Sequence, residues 1–388
     1  MSMQQEIGLF RHYSSRIYNK FLGRTGWVPR SGLERDKSTH VILTAGYNGN
    51  LGDQAIAQCV ARECLRCGSR PVFAEYEFVS ERNNIAQKHA IMFGGEIGST
   101  FYFRALQKQQ PDPSRASIGG ISIDQAFIAN PDPEVLAYLR QISAFFVRDK
   151  SVAQVARDLL KLEQIKYAPD IVFSLAESSA DAVDDQYSRP MNVKMPKTIG
   201  INVQAFFHMM SSKGRFTPLK LTPFASVEET ARAELGYRQA LRHLISQYQE
   251  KGYKVVNYSF CIQDTIYFER HFGDTKCQTL EFHWRLDKLI ASIKQCSLFV
   301  ASRYHAHIAS MIAGVPTISI MVGAKNSGLL RDMDIETDRH QIERKLFLRG
   351  DEATAKLLSI EPFCVSKSKV YETSALARAS LREILVSH

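Results

Sequence analysis

Short, uninterrupted apolar runs alternate with longer amphipathic segments through most of the chain, and this alternation limits the fold more than any other feature. Helices are predicted between several of the apolar runs, because apolar residues recur there at helical spacing. Uninterrupted runs separated by helices are typical of a parallel sheet covered on both faces. In the first half of the chain the predicted strands are residues 40–45, 71–76, 90–93, 116–118 and 144–147, and the predicted helices are residues 53–67, 133–141 and 151–162.

The alternation stops at residues 176–197, a polar, acidic and proline-containing stretch that is typical of a linker. A second series of apolar runs and helices follows. Residues 208–226 within it are a polar insertion, for which we predict a mobile loop over a cleft. The second series predicts strands at residues 198–203, 254–258, 298–301 and 317–320, and helices at residues 227–251 and 280–295.

These patterns predict an α/β fold of two Rossmann-like domains that face a cleft, with ligands bound at the carboxyl ends of the strands. A length of 388 residues suits two domains of ordinary size. We predict a basic N-terminal lead-in segment at residues 1–39, an N-terminal domain at 40–175, the linker at 176–197, a C-terminal domain at 198–340 and a C-terminal helical segment at 341–388.

The lead-in segment is basic, and aromatic residues are interspersed among its cations. It contributes to the formal net charge of +9 of the chain. We favour a basic helix packed on the domain, and loose contact of residues 1–39 with an anionic membrane surface is the alternative. A nucleic-acid-binding arm would rest on this segment alone, so no nucleic-acid partner is expected.

The chain shows neither an apolar run of membrane-spanning length nor the pattern of a signal peptide. Its seven cysteines, an odd number, are scattered as in proteins of a reducing compartment. We therefore expect a cytoplasmic protein, with peripheral attachment to the inner face of the cell membrane as the alternative. Cys64 and Cys67 form a C-x-x-C pair without the further ligands of a zinc site, and we interpret them as two small helix residues.

A glycine-rich turn follows the first predicted strand. Gly46, Gly49 and Gly52 allow the backbone to turn tightly and to approach a ligand. Asn50 belongs to the same turn, and Asp53 is predicted to cap the following helix, whose free amides could hold an anion or a sugar hydroxyl. The spacing differs from the G-x-G-x-x-G fingerprint, so a dinucleotide is not favoured. On local grounds alone this remains a generic glycine turn.

Two later strand exits also carry polar groups. Gly94 and Gly95 expose backbone amides, and Glu96 could accept a hydrogen bond from an acceptor hydroxyl; a plain strand-to-helix turn explains these residues equally well. Arg148 ends another predicted strand, where a guanidinium suits bidentate recognition of a carboxylate or phosphate. A surface pair of Arg148 with Asp149 is the alternative.

The segment from Ser302 to His305 lies at the junction of a predicted strand and a helix. Arg303 leaves the strand, and His305 falls in the first turn of the helix, near its positive end. An arginine, a histidine and free helix amides together predict an anion site with a proton donor. His307 points about 200° round the helix from His305, so we interpret it as a packed or hydrogen-bonded histidine rather than a second catalyst.

In order and spacing, these segments resemble the motifs of the polysaccharide pyruvyl transferase family. The first turn resembles its N-x-G-D element, and residues 147–151 resemble its V-R-D-x-x-S element, followed by A-P-D at residues 168–170. Arg303-Tyr304-His305 with Gly314-Val315-Pro316 resembles the R-x-H…G-x-P element, the most specific of the set. The similarity runs from residue 41 to residue 325, which is most of the chain.

The resemblance implies a fold like that of the GT-B glycosyltransferases, with the N-terminal domain on the acceptor side and the C-terminal domain on the donor side. It implies phosphoenolpyruvate as co-substrate, a polysaccharide or lipid-linked oligosaccharide as acceptor, and a pyruvate ketal as product. No cofactor and no metal are expected. The chain departs from the family at Glu96, which follows two glycines instead of a third, and at Gln204, where many relatives carry an arginine.

The resemblance matches Arg303 and His305 to residues that hold the donor, and Arg148 and Lys325 to further basic positions. For individual roles we use the chemistry of ketal formation, which needs cations and one acid. His305 would be the catalytic acid, and Asp53 or Glu96 would orient or deprotonate the acceptor hydroxyl. The residues that would bind the donor are Arg303, Arg148, Lys325 and Tyr304, and those that would bind the acceptor are Asn50, Gly52, Gly94 and Gly95.

Two other functions fit parts of the pattern. A nucleotide-sugar glycosyltransferase of the same fold would place Arg303 and Lys325 on the diphosphate and would use Glu96 or Asp53 as base. A non-catalytic glycan-binding relative would keep only the scaffold. The presence of His305 beside the cations argues against mere binding, because binding does not require an acid.

Overall fold

The computed structural model describes residues 40–44, 50–69, 72–75, 88–176, 197–205, 208–210, 216–218, 224–280, 285–321 and 323–386. The lead-in segment and most of the predicted linker thus lie outside the described residues. Within these ranges, no helix combines the length and apolar content needed to cross a bilayer. The described chain forms two compact units: an N-terminal unit of residues 40–176 and 370–386, and a C-terminal unit of residues 197–369.

The N-terminal unit is built on a six-stranded parallel sheet. Its strands are β1 (His40–Thr44), β2 (Val72–Glu75), β3 (His89–Phe93), β4 (Ala116–Ile121), β5 (Ala144–Val147) and β6 (Ile165–Tyr167). They lie in the order β2-β1-β3-β4-β5-β6 across the sheet. The helices between them are α1 (Leu51–Arg66), α2 (Thr100–Gln109), α3 (Gln125–Ala129), α4 (Pro133–Leu139) and α5 (Lys150–Leu160), with short 3-10 helices at Pro113–Arg115 and Ile171–Leu175.

The C-terminal unit contains a second six-stranded parallel sheet. Its strands are β7 (Thr198–Ile201), β10 (Lys254–Tyr258), β11 (Gln278–Leu280), β12 (Leu298–Ala301), β13 (Thr317–Ile320) and β14 (Gln341–Ile342), in the order β11-β10-β7-β12-β13-β14. A separate antiparallel pair consists of β8 (His208–Met210) and β9 (Phe216–Pro218). The helices are α6 (Val227–Glu250), α7 (Ile262–Phe272), α8 (Leu286–Ile293), α9 (Tyr304–Ala313), α10 (Ala324–Asp332), α11 (Thr337–His340) and α12 (Gly350–Ser359), with a 3-10 helix at Arg344–Arg349.

The α/β class predicted from the apolar runs is confirmed, because strands such as β3 and β12 are buried along their whole length between helical layers. The helix predicted at residues 280–295 is wrong at its start, since Leu280 ends β11 and α8 begins at Leu286. The predicted loop at 208–226 contains the antiparallel pair β8 and β9. Sequence reasoning missed α7, whose aromatic residues are equally common in strands.

The last part of the chain contributes to both units. Ile342 and Phe347 pack into the apolar core of the C-terminal unit. The final helix, α13 (Lys367–Val386), belongs to the N-terminal unit from Val370 onward. The residues 341–388, for which the sequence predicts one helical segment, are therefore divided between two cores.

The 3-10 helix at Arg344–Arg349 approaches α6 very closely at Gly236. A β-carbon on Gly236 would lie 2.0 Å from the carbonyl oxygen of Phe347, a distance that no real β-carbon tolerates. Beside this contact, the rings of Tyr237 and Phe347 pack edge to face with centroids 5.3 Å apart. Tyr237 in turn receives a hydrogen bond from the backbone of Gln204 at 3.1 Å. The glycine thus allows the packing that positions the loop after β7.

His307 belongs to a buried polar network that fastens α9 to the sheet. Its Nδ1 lies 2.8 Å from the carbonyl oxygen of Arg303, and its Nε2 lies 2.7 Å from the hydroxyl oxygen of Ser319 on β13. Because a carbonyl can only accept, Nδ1 carries the proton and Nε2 accepts from Ser319. The side chain of Gln341 on β14 donates to the same hydroxyl at 2.9 Å. The interpretation of His307 as a hydrogen-bonded core histidine is confirmed.

We predict that Gly236→Ala destabilises the protein, although alanine is the better helix former. The gain in helix propensity is about 1 kcal/mol, whereas forcing Phe347 away from α6 costs on the order of 1 to 3 kcal/mol and loosens Tyr237 as well. The urea midpoint of unfolding should therefore fall. Leu235→Ala is the control, because Leu235 is the neighbouring residue and is 48% exposed. An increase in the midpoint of Gly236→Ala would contradict the close approach.

The network also predicts how stability depends on pH. Burial lowers the pKa of His307 from its ordinary 6.5 to about 4. The unfolded chain therefore takes up a proton that the folded chain refuses, and stability falls as the pH drops from 6.5 towards 4. The loss attributable to His307 between pH 7 and pH 4.5 should be about 2 kcal/mol.

His307→Gln should have a flatter profile of unfolding free energy against pH than the wild type. His243→Gln removes an exposed histidine of α6 and should keep the wild-type profile. Urea unfolding at a series of pH values measures both. Parallel profiles for His307→Gln and the wild type would show that His307 is not held neutral.

Candidate active site

In each sheet the strand order reverses at the first strand, because later strands are added on both sides of it. In the C-terminal unit β7 lies between β10 and β12, and in the N-terminal unit β1 lies between β2 and β3. Loops that leave such neighbouring strands in opposite directions open a crevice at the carboxyl edge of the sheet, where ligands bind in open α/β folds. A ligand site is therefore expected at the residues that follow β7 and β12, and at those that follow β1 and β3.

Asn202 links the ends of three neighbouring strands of the C-terminal unit. Its side-chain oxygen accepts from the backbone amide of Arg303 at 2.9 Å, and its side-chain nitrogen donates to the carbonyl of Tyr258 at 3.0 Å. Its own carbonyl accepts from the Ser302 hydroxyl at 2.7 Å. Asn202 follows β7, Tyr258 ends β10 and Ser302 follows β12. One buried residue therefore holds these three strand ends together.

Asp264, in the first turn of α7, binds the guanidinium of Arg303 with two hydrogen bonds. Nε donates to Oδ2 at 2.5 Å, and Nη2 donates to Oδ1 at 2.8 Å. The Asp264 side chain is fully buried, whereas 18% of the Arg303 side chain is exposed. Such a bidentate pair fixes the plane of the guanidinium and leaves part of the side chain in contact with solvent.

Sequence reasoning missed Asp264, which lies 39 residues before Arg303 in the chain. A recognisable signal was present, because an acidic residue in the first turn of a helix that follows a strand lies near the carboxyl edge. The partner of that carboxylate could not be identified from spacing. The pairing is a tertiary contact between the exits of β10 and β12.

His305 occupies the first turn of α9, two residues after Arg303. The residue is 8% exposed, and the ring of Tyr304 meets the imidazole edge to face with centroids 5.2 Å apart. The structure thus brings a cation and an imidazole to one helix start. These are the groups from which the sequence analysis predicted an anion site with a proton donor.

Lys325 lies in the first turn of α10, which follows β13, and is half-buried. The next residue, Asn326, is fully buried and donates from its side chain to the carbonyl of Ser302 at 2.9 Å. This bond ties the start of α10 to the exit of β12. Arg303, His305 and Lys325 therefore gather at the ends of two adjacent strands.

Gln204 lies just after β7, on the other side of the switch point. Its backbone amide donates to the hydroxyl of Tyr237, as described above. Its side-chain oxygen is buried and has no hydrogen-bond partner within the described part of the chain. A neutral amide therefore stands at the position where the family resemblance implied a cation.

In the N-terminal unit, Asn50 caps α1 by accepting a hydrogen bond from the Gly52 amide at 3.0 Å. The sequence predicted Asp53 as the cap, and this detail is wrong. Asn50 is the residue with extended backbone dihedrals before the helix, while Asp53 is already inside the first turn. Asp53 remains favourably placed, because a carboxylate in the first turn interacts with the helix dipole.

Gly94 and Gly95 turn the exit of β3 with left-handed backbone angles, φ of 77° and 80°. A β-carbon on Gly94 would lie 2.4 Å from the side chain of Ile56, and one on Gly95 would lie 3.5 Å from Oδ1 of Asp53. The close approach brings Asp53 against the glycine turn. Glu96 follows and is exposed. The six predicted acceptor-side residues thus lie in the segments that follow the paired strands β1 and β3.

Arg148 lies in a buried ion pair rather than on the surface. Its Nη1 donates to Oδ2 of Asp170 at 3.0 Å, its Nε donates to the Ser122 hydroxyl at 2.8 Å, and only 3% of its side chain is exposed. Asp149, the alternative partner from the sequence, instead caps α5 by accepting from the Val152 amide. Direct contact of Arg148 with a donor would require this pair to open, at a cost of about 3 to 5 kcal/mol.

Within the described ranges, no three histidine, cysteine or acidic side chains come together as a metal site would require. Cys64 is buried, and burial raises the pKa of its thiol to about 12, whereas Cys67 is exposed at the end of α1. A thiol held protonated is neither a ready metal ligand nor a nucleophile. The two cysteines are helix residues, in line with their sequence interpretation.

Comparison with solved structures identifies proteins of similar architecture. The S. aureus MnaA–UDP complex shares 10% sequence identity, covers 87% of this chain and 91% of its own, and has a TM-score of 0.50. The UDP-GlcNAc 2-epimerase from Neisseria meningitidis bound to UDP-GlcNAc shares 8%, covers 89% and 99%, and has a TM-score of 0.49. At such low identity the likeness concerns the fold alone. The predicted two-Rossmann, GT-B-like architecture is confirmed.

A search of curated proteins finds no match. The model of the family described as polysaccharide pyruvyl transferase matches residues 50–323, from the cap of α1 to the start of α10. The match includes the strand exits that carry Asp53, Glu96, Arg148 and His305. Because it extends over most of the sequence, the chain belongs to the polysaccharide pyruvyl transferase family.

Proposed function

We propose that the protein transfers the enolpyruvyl group of phosphoenolpyruvate to two hydroxyls of one sugar, in a polysaccharide or its lipid-linked precursor, and forms a pyruvate ketal. The observation that carries this proposal is the position of Arg303 and His305 at the switch point of the C-terminal sheet. A donor with a carboxylate and a phosphate needs cations, and an enol needs a proton. This strand exit offers both within three residues.

We assign the donor to the C-terminal unit. Arg303 and Lys325 bind its carboxylate and phosphate, and Tyr304 packs against the imidazole of the acid. Asp264 is the positioning residue for Arg303, because its two hydrogen bonds fix the orientation of the guanidinium. We assign Arg148 to a supporting role, in which its buried pair with Asp170 fixes the exits of β5 and β6.

The reaction begins with transfer of a proton from His305 to the methylene carbon of the enol. The adjacent carbon becomes electron-deficient, and the first sugar hydroxyl attacks it. The bond to the phosphate oxygen then breaks, phosphate leaves with the bonding electrons, and the second hydroxyl closes the ketal. Of the two hydroxyl protons, one restores the acid and the other leaves with phosphate. Arg303 and Lys325 stabilise the phosphate as its charge increases.

We assign the acceptor to the carboxyl edge of the N-terminal sheet. Asn50 and Gly52 at the start of α1, together with the turn of Gly94 and Gly95 after β3, offer a surface against which a sugar ring can lie. Asp53 lies next to the glycine turn. Asp53 or Glu96 would orient or deprotonate the attacking hydroxyl. Carboxylates next to backbone amides suit this task, because sugar hydroxyls both donate and accept.

The first test measures the reaction directly. Purified full-length protein is incubated with phosphoenolpyruvate and a panel of bacterial glycans, and mass spectrometry detects a pyruvyl ketal together with release of inorganic phosphate. His305→Gln should lower the rate by about 10²- to 10⁴-fold, because it lacks the acid. It should still gain thermal stability from phosphoenolpyruvate, since Arg303 remains. His243→Gln should react normally.

Thermal stabilisation of the protein by added ligand also distinguishes the two candidate donors, phosphoenolpyruvate and a UDP-sugar. Stabilisation by UDP-sugars and none by phosphoenolpyruvate would replace the proposed reaction with glycosyl transfer. Normal turnover by His305→Gln would remove the histidine from the mechanism.

A second prediction concerns Asp264. Asp264→Asn removes the charge that orients Arg303, so the KM for phosphoenolpyruvate should rise by about ten-fold or more, with a smaller change in kcat. Asp274→Asn is the matched control, because Asp274 also pairs with an arginine through two hydrogen bonds but lies on the surface with 70% of its side chain exposed. A normal KM in Asp264→Asn would show that the pair does not orient the donor.

Asp264→Asn also leaves a partly buried arginine without its counter-charge, which is destabilising by itself. The double variant Asp264→Asn/Arg303→Gln separates the two effects. It should recover thermal stability, because no unpaired charge remains, and its KM for phosphoenolpyruvate should stay at least as high as that of Asp264→Asn, because Arg303 is gone.

A further inference from the structure

Four arginines surround one buried glutamate in the N-terminal unit. Glu63 lies near the end of α1, and its side chain has no exposed surface. Nη1 of Arg66 lies 2.5 Å from its carboxylate. The shortest distances from Arg62, Arg378 and Arg382 to the same carboxylate are 3.9, 3.7 and 3.8 Å. We call these four residues the arginine cluster.

Among the residues that the structure describes, the arginine cluster places four positive charges around the single carboxylate of Glu63, an excess of three. Partial burial makes this repulsion more costly than it would be in water. Burial is the main cause that lowers the pKa of Arg378; the Glu63 carboxylate opposes this shift, and the charges of the neighbouring arginines add to it. A bound anion would relieve the repulsion.

Two of the four arginines are already fixed in place by backbone carbonyls. Nη2 of Arg62 donates to the carbonyl of Ser174 at 2.5 Å, and Nη2 of Arg378 donates to the carbonyls of Ser174 and Ala176 at 2.7 and 3.0 Å. These bonds fasten α1, through Arg62, and α13, through Arg378, to the 3-10 helix at Ile171–Leu175. They give Arg62 and Arg378 a structural role that needs no ligand.

The fastening does not account for the other two arginines. The side chains of Arg66 and Arg382 are 44% and 55% exposed, and they add positive charge on the solvent side of the cluster. Neither donates to a carbonyl of the 3-10 helix in the hydrogen bonds of the described residues. Arg66 pairs directly with Glu63, but Arg62 and Arg378 already outnumber that carboxylate. Each of the two exposed cations therefore increases the repulsion within the cluster.

We propose that the arginine cluster is a binding site for a phosphate or diphosphate group. The planar guanidinium fork matches the oxygens of a phosphate, and neighbouring forks can share one anion. Glu63 holds the arginines together beneath the anion. Arg62 lies twelve residues after Asn50 on α1, about 18 Å along the helix. The site is therefore distinct from the glycine turn at the start of that helix, and it lies in the other unit from Arg303.

The phosphate could belong to a free molecule or to an anionic lipid. Leu65 is 63% exposed and shares a face of α1 with Arg62, three residues earlier. An exposed leucine beside cations is typical of helices that lie at a lipid surface. The experiment therefore uses one soluble and one lipid probe.

The test compares Arg66→Gln/Arg382→Gln with Arg115→Gln/Arg140→Gln. Both pairs remove two exposed charges from the N-terminal unit, but only the first touches the arginine cluster. Both are made in the full-length chain with Arg303→Ala, so that anions at the proposed donor site do not contribute. Inorganic pyrophosphate is titrated by calorimetry at constant ionic strength, and vesicles of phosphatidylcholine with or without phosphatidylglycerol are tested by co-sedimentation.

The control pair should bind like the Arg303→Ala parent, and the cluster pair should bind about ten-fold more weakly or worse. Loss of pyrophosphate binding assigns a soluble phosphate, and loss confined to the phosphatidylglycerol vesicles assigns a lipid. Equal binding by the two pairs, or no binding of either probe by the parent, would overturn the proposal. Turnover of phosphoenolpyruvate by the cluster pair with Arg303 restored is measured separately, so failure here is distinguishable from failure of the proposed reaction.

Discussion

The hydrogen bonds of Asn202 are the contacts on which the C-terminal unit most depends. A parallel sheet leaves backbone groups at its carboxyl edge without partners in the ladder, and buried polar groups must be satisfied. Asn202 satisfies those of two neighbouring exits at the point where the chain changes direction. It fixes the backbone of Arg303, while Asp264 fixes the side chain. Asn202 and Asp264, which follow different strands, thus orient the guanidinium of Arg303 before a ligand binds. Binding therefore loses less conformational entropy at this side chain.

Arginines are used in three ways, and the ratio of carboxylates to arginines distinguishes them. Arg148 and Asp170 form an equal, fully buried pair, which holds two strand exits. Arg303 and Asp264 form an equal pair that is buried only on the acidic side, so the arginine still faces solvent. In the described part of the chain, the four cations of the arginine cluster share one carboxylate. Burial with full neutralisation indicates structure, whereas exposed or excess positive charge indicates binding.

Much of the fold could be predicted, because each buried parallel strand is visible in the sequence as an uninterrupted apolar run. The exits carrying Asp53, Gly94 and His305 followed from the strands. Contacts between distant segments could not be predicted in this way. Arg148 lies at the exit of a strand as expected, yet it forms a buried ion pair with Asp170, 22 residues later. Asp264 was overlooked for the same reason. Helix α13 could be recognised as a helix with a buried apolar face, but nothing in its periodicity identifies the unit on which that face packs.

That membership affects how the protein is made. Arg378 donates to the carbonyls of Ser174 and Ala176, and the Ser374 hydroxyl donates to that of Ala176. Both donors are synthesised about 200 residues after these carbonyls. At ordinary rates of translation the delay is roughly 10 to 40 s. The C-terminal unit emerges from the ribosome within that interval. The segment synthesised first is therefore the one completed last, and a nascent chain carries an unfinished N-terminal core, with Glu63 lacking two of its arginines, until translation has passed α13.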